Sequence, residues 1–231
     1  MSKLLVSCKN ASEVSVIKHL VDIIDLKNSD DGALGAWKTE EILNVTKHKN
    51  SMPPISATLG NYKDIELIIQ RLRMFDKLGL DYIKFGIFTS VQEEIDYLLY
   101  RVEREEIKTK IVAVLFADFE FHNDDIKISL MKFSKFKIRY VMLDTIKKKD
   151  LSLLQIYDEN FLKELVKISK SNNIKIGFAG QIKEEDLNKL IKLDPYLCGI
   201  RSAACFEKQR KNLISETNVK KIKFYFDVDN K

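Results

Sequence analysis

Eight short apolar runs, each separated from the next by a polar or helix-patterned stretch, constrain this chain more than any other feature. They read LLVSC (4–8), DIIDLK (22–27), PISATLG (54–60), DYIKFGIF (81–88), KIVAVLFAD (110–118), YVMLD (140–144), IKIGFAG (174–180) and LCGIRSA (197–203). Each is rich in β-branched or aromatic residues and bounded by polar or glycine positions, the pattern of buried strands. Several are apolar nearly throughout, as parallel strands covered on both faces require. Between them apolar residues recur at helical spacing. Ile65, Ile68, Ile69, Leu72 and Phe75 do so within 63–78, and Val91, Ile95, Leu98, Leu99 and Val102 within 91–105. Leu162, Leu165 and Val166 follow within 158–170, then Leu187, Leu190 and Ile191 within 183–193. Such stripes face a core. Strand–helix alternation implies a parallel sheet with right-handed crossovers. Eight such units in 231 residues predict an α/β fold of the closed (β/α)₈ TIM-barrel type, which commonly uses about 250 residues. An open, doubly wound sheet is the competing architecture. With three prolines and no Gly/Ser linker, no boundary divides the chain, and residues 1–231 read as a single domain. The tail KKIKFYFDVDNK fits a closing helix or an added strand equally well.

Composition narrows the function. The net charge of +5 comes from 39 basic and 34 acidic side chains, and lysine dominates the basic set. Nucleic-acid binders favour arginine, whose fork matches phosphates and guanine edges; scattered lysine reads as a solvated surface, with no nucleic-acid partner. No uncharged apolar run approaches the about 18 residues that a membrane span needs. The opening MSKLLVSCKN lacks the apolar stretch of a signal peptide. Three cysteines without a CxxC pair suit a reducing compartment. Together these predict a cytoplasmic protein, with self-association left open.

In a barrel the chemistry sits at the C-terminal ends of the strands and in the loops after them. Asp25 and Lys27, two apart, point to the same face of their strand, so a carboxylate and an amine are expected inside the barrel together. A buried ion pair that only fixes packing reads equally well for that pair alone. Lys84 is a second lysine inside an apolar strand, where strand propensity does not ask for one. Two interior lysines would repel and lower each other's proton affinity, and a free amine is what imine formation needs. Asp144 and Asp118 end strands and could orient a lysine or cap the next turn. GFAGQI and GIRSAAC end the last two strands, where barrels often bind phosphate. Gly180 and Gly199 allow close backbone approach, Arg201 offers a charged donor, and Ser202 stands beside it. The three histidines lack ligand spacing, and neither a metal site nor a nucleotide fingerprint is present; no cofactor is expected. Trp37 reads as packing.

Taken in order, LLVS, DIIDLKN with DGALGAW, ISATLG, DYIKFG, FAD, MLDT, AGQI and GIRSAAC resemble the (5-formylfuran-3-yl)methyl phosphate synthases, also called 4-(hydroxymethyl)-2-furancarboxaldehyde-phosphate synthases, of methanofuran biosynthesis. The resemblance covers residues 4 to about 205. It implies a barrel like that of class I aldolases, acting on a small phosphorylated aldehyde. Two molecules of glyceraldehyde 3-phosphate would be joined with release of phosphate and water. By the same resemblance Lys27 is the Schiff-base lysine, Lys84 the proton acceptor, Asp25 and Asp144 assisting acids, and Lys148 a further active-site lysine. The chain departs from the family pattern in reading FEFH after FAD, where an arginine is usual. It also has Ser202 in place of glycine and Gln181 in place of serine. Two other functions compete: a Schiff-base aldolase for another sugar phosphate, and a catalytically silent barrel that binds phosphometabolites.

Overall fold

Each of the eight apolar runs is a strand. In a computed structural model, which describes residues 1–119, 123–136, 138–147 and 151–228, the strands are β1 (Lys3–Cys8), β2 (Ile23–Leu26), β3 (Ile55–Thr58), β4 (Tyr82–Gly86), β5 (Lys110–Phe116), β6 (Tyr140–Asp144), β7 (Lys175–Phe178) and β8 (Leu197–Ile200). All pair in parallel with their sequence neighbours. The pairing of β1 with β8, from Lys3 opposite Leu197 to Val6 opposite Ile200, closes the barrel. The open-sheet alternative is thereby excluded.

Helices α1 (Ala11–Ile17), α2 (Thr39–Thr46), α3 (Ile65–Phe75), α4 (Gln92–Glu103), α5 (Asn123–Lys135), α6 (Leu153–Ile156), α7 (Glu159–Ser171), α8 (Leu187–Lys192) and α9 (Glu216–Val228) surround it. Their starts are chemically marked. The side chains of Asn10, Asp64 and Asp158 accept from the backbone N–H groups of Glu13, Leu67 and Phe161, satisfying donors that a helix leaves open. The apolar stripes of α3, α4 and α7 face inward as their spacing requires, except for Val91, which precedes α4 as its N-cap and is exposed. The stretch 183–193 begins with a 3₁₀ turn (Glu184–Asp186) before α8. As far as Val228 the ambiguous tail is helical, part of α9, whose Val219, Ile222 and Phe226 are buried and which packs on α1, α8 and β1. Trp37 is buried, and its indole N–H donates to the Cys8 carbonyl at 3.1 Å. Among the described residues no helix is long and apolar enough to cross a membrane.

Alternate strand residues turn into the barrel. Leu5, Ile23, Val112, Val114 and Met142 fill its middle, forming a core separate from the larger one under the helices. At the N-terminal end three tyrosines make a floor. Tyr140 meets Tyr82 and Tyr196 edge to face, at 5.3 and 5.7 Å between centroids, and the Tyr82 and Tyr196 hydroxyls lie 3.2 Å apart. Edge-to-face contact is the arrangement that ring quadrupoles favour. With an aromatic floor and an apolar middle, polar chemistry is left to the C-terminal mouth.

Candidate active site

The side chains at that mouth come from different strands and meet across it. Asp25 of β2 is fully buried, and Lys84 of β4 is almost so. The Lys84 ammonium lies 2.6 Å from Asp25 Oδ1. The two form an ion pair shut away from solvent. The other oxygen, Oδ2, accepts from the Ser7 hydroxyl of β1 at 2.8 Å. Lys27 follows β2 directly, its backbone N–H still donating to Cys8 O. Its Nζ donates to Asp144 Oδ2 of β6 at 3.2 Å, while the Thr145 amide donates to Oδ1 at 2.7 Å.

Each lysine therefore pairs with a carboxylate from another strand, and Lys27 does not pair with Asp25 as their sequence spacing suggests. Residues i and i+2 stack along a strand about 6.6 Å apart, whereas side chains from opposite strands converge on the narrow axis. Charges buried this deeply persist only when paired. Burial holds the Lys84 amine below the usual lysine range and nearby Lys27 pushes the same way, while Asp25 pulls against both.

Both pairs open into one cavity of about 570 Å³, counting its share of open solvent, which Gly180, Gly199 and Ser202 also line. Gly180 has φ +103°, and a Cβ there would stand 2.8 Å from Thr145 Cγ2, so glycine lets the β7 loop press on the β6 loop. A Cβ on Gly199 would come within 3.2 Å of the Ala179 Cβ. Asp118 is used elsewhere: its two oxygens accept from the Ile146 and Lys147 amides, both at 2.6 Å, and so it caps the loop after β6. Lys148 lies outside the described residues, as do residues 120–122 of the FEFH stretch. The Gln181 side-chain amide donates to Lys147 O and Leu151 O.

Arg201 corrects the expectation that it offers a donor to phosphate. All five of its N–H donors are taken, by Ser7 O, Arg210 O, Asn212 O and both oxygens of the buried Glu13. Arg201→Ala should therefore leave the Glu13 charge uncompensated and cost about 3–5 kcal/mol of stability; any loss of affinity should be small beside this and arise through the Arg210 loop that Arg201 holds. Denaturant midpoints and substrate saturation curves would check this; unchanged stability with weakened affinity would return Arg201 to a binding role.

Three polar residues lining this site, Ser7, Ser29 and Arg210, were not singled out from sequence. Ser7 was legible, since it sits two beyond the inward-facing Leu5 of β1. Arg210 was not, because it comes from the irregular loop after β8 where periodicity gives no orientation; it too lines the cavity.

The family profile described as 4-HFC-P synthase matches residues 4–223 of the chain. Among curated relatives, the (5-formylfuran-3-yl)methyl phosphate synthase of Methanococcus aeolicus is 34% identical over 217 residues, covering 87% of this chain and 89% of its own length. The protein of the same name from Methanosarcina acetivorans is 32% identical, covering 93% and 95%. Among solved structures, 3-hexulose-6-phosphate synthase from Salmonella typhimurium superposes with a TM-score of 0.68 at 14% identity, covering 98% of this chain and 99% of that one. KGPDC from Streptococcus mutans gives 0.62 at 11%, covering 99% of this chain and 98% of that one. These two likenesses are of fold.

Proposed function

This chain belongs to the 4-HFC-P synthase family and is an enzyme, and from that premise we propose that it joins two molecules of glyceraldehyde 3-phosphate through an imine on Lys27. The product is (5-formylfuran-3-yl)methyl phosphate, made in the cytoplasm for methanofuran. The observation that carries the reading is the placement of two amines, each against its own carboxylate, in one cavity at the end of the barrel where such folds do chemistry.

Lys27 Nζ attacks the carbonyl carbon of one aldehyde, and loss of water gives an iminium. The iminium acidifies the neighbouring C–H. The Lys84 amine, held below its usual range mainly by burial, takes that proton. The resulting enamine carbon adds to the carbonyl carbon of the second aldehyde. Asp144 steadies the Lys27 nitrogen, and Asp25, fixed by Ser7, steadies Lys84 once it is charged. Elimination of phosphate, ring closure and release of the product from Lys27 follow. Two triose phosphates minus one phosphoric acid and two waters leave the phosphorylated furan aldehyde, so atoms balance.

The mass of the product formed from glyceraldehyde 3-phosphate alone tests this. A phosphorylated furan aldehyde is expected. An aldol adduct that keeps both phosphates would favour a Schiff-base aldolase, and no turnover would favour a silent barrel. Because an imine uses nitrogen as the electron sink, turnover should survive exhaustive chelation; loss of activity restored only by added metal would sink the mechanism.

A further inference from the structure

The reaction proposed above takes two phosphates into one mouth, yet the cation expected to meet them, Arg201, has no donor left. Arg210 differs. Its Nη2 is anchored to Ser29 O at 2.7 Å and Gly32 O at 3.4 Å in the loop after β2, while Nε and Nη1 have no hydrogen-bond partner among the described residues. No carboxylate of the described residues pairs with it. Burial lowers the guanidinium's proton affinity, with Asp144 the chief influence opposing this.

Its position is equally specific. Arg210 lines the cavity of the two lysines and also a broader groove outside it, of about 1270 Å³ counting open solvent. The two hollows share Gln181, Ile182, Ser202 and Arg210 as a common wall. The groove's other cations face carboxylates, Lys183 at 4.0 Å from Glu185 and Lys208 at 3.6 Å from Glu184. An anchored, half-buried arginine with spare donors between two hollows is suited to a phosphate group, which supplies both charge and acceptors.

We propose that Arg210 binds the phosphate of a triose phosphate at the junction of cavity and groove, and so selects phosphorylated over unphosphorylated aldehydes. The inference rests on the triose-phosphate reading for its substrate, but not for its anion.

Two measurements separate these. In the first, inorganic phosphate is titrated into the full chain while thermal unfolding is followed. Phosphate should raise the melting temperature of the unaltered protein and not that of Arg210→Gln, with Arg210→Lys in between. In the second, borohydride trapping of glyceraldehyde 3-phosphate is compared with trapping of unphosphorylated glyceraldehyde. The preference for the phosphorylated aldehyde should fall by about 10- to 150-fold in Arg210→Gln, the range for loss of a charge-assisted hydrogen bond. A purely structural role for Arg210 would depress both trapping rates together and leave the ratio intact, which overturns the proposal. So does a phosphate response that is absent from the unaltered protein or fully kept in Arg210→Gln. If Arg210→Gln fails to fold, Arg210→Lys decides, since it keeps the charge but should show a weakened phosphate response. If no aldehyde is trapped at all but phosphate still distinguishes the variants, the anion site stands and the imine reading falls.

Discussion

Lys27→Arg should lower turnover by at least about 1,000-fold, equivalent to about 4 kcal/mol on the barrier, while leaving the barrel folded. Arginine keeps a positive charge beside Asp144, so the buried carboxylate is not orphaned. Guanidinium stays protonated, however, and cannot form an imine. Borohydride added with glyceraldehyde 3-phosphate should fix a triose adduct on Lys27 of the unaltered protein and none on this variant. Lys84→Gln should turn over poorly yet still be trapped, because it removes the proton acceptor and spares the nucleophile. Peptide mapping after reduction tells the two lysines apart. An adduct on Lys84 with Lys27 unmodified would reverse their roles, and full turnover without any adduct would end the Schiff-base reading.

The second large effect is on stability. Asp25→Asn removes the counter-charge of Lys84 at a site where neither side chain sees solvent. Leaving a buried ammonium unpaired should cost about 3–5 kcal/mol near neutral pH. The loss should also depend on pH. Lys84 is already held below 10.5 in the folded protein, and losing Asp25, which pulls it up, lowers it further. Between the folded value and about 10.4 the unfolded chain holds the extra proton, so stability rises with pH across that window. Denaturant midpoints for Asp25→Asn relative to the unaltered protein should therefore be most depressed at the low end of the pH range and recover as pH rises toward the unfolded lysine value of about 10.4. A loss that is flat, or larger in alkali, would mean that Lys84 is not the group left stranded.

The barrel was readable because burial on both faces makes each parallel strand a continuous apolar run, and eight of these in a chain of this length favour closure over an open sheet. Helices α1, α2 and α5 escaped notice for a related reason. The first two are short, and α5 spreads Ile126, Leu130 and Phe133 among charged residues, a stripe that a window beginning at Asn123 would have caught. Lys27, Lys84, Asp25 and Asp144 stood out as charges in or beside apolar strands, and all four line one cavity. Which amine meets which acid was not readable, since register across a barrel axis is a property of closure and not of spacing within a strand. Arg201 misleads, and Asp118 stayed open between site and turn cap, for the same reason: a strand-end position says that a side chain is near the mouth, not whether neighbouring backbone has already claimed it.

The contact between Arg201 and Glu13 spans 188 positions of sequence. It is one of several stitches between the two ends, with Met1 on Asp194, Ser2 on the Pro195 carbonyl and Lys9 on the Lys211 carbonyl. During synthesis the first βα unit leaves the ribosome with an acid destined for the interior and nothing to neutralise it. That helix cannot settle into its final seat until the eighth strand and the loop behind it have been made. Most of the chain's length must therefore emerge before its beginning is secured. Non-local contacts of this kind slow folding and expose unfinished sheet edges on the way. A chain shortened just before Arg201 would lose both the counter-charge of Glu13 and the buried face of α9, and its demand on chaperones should rise sharply.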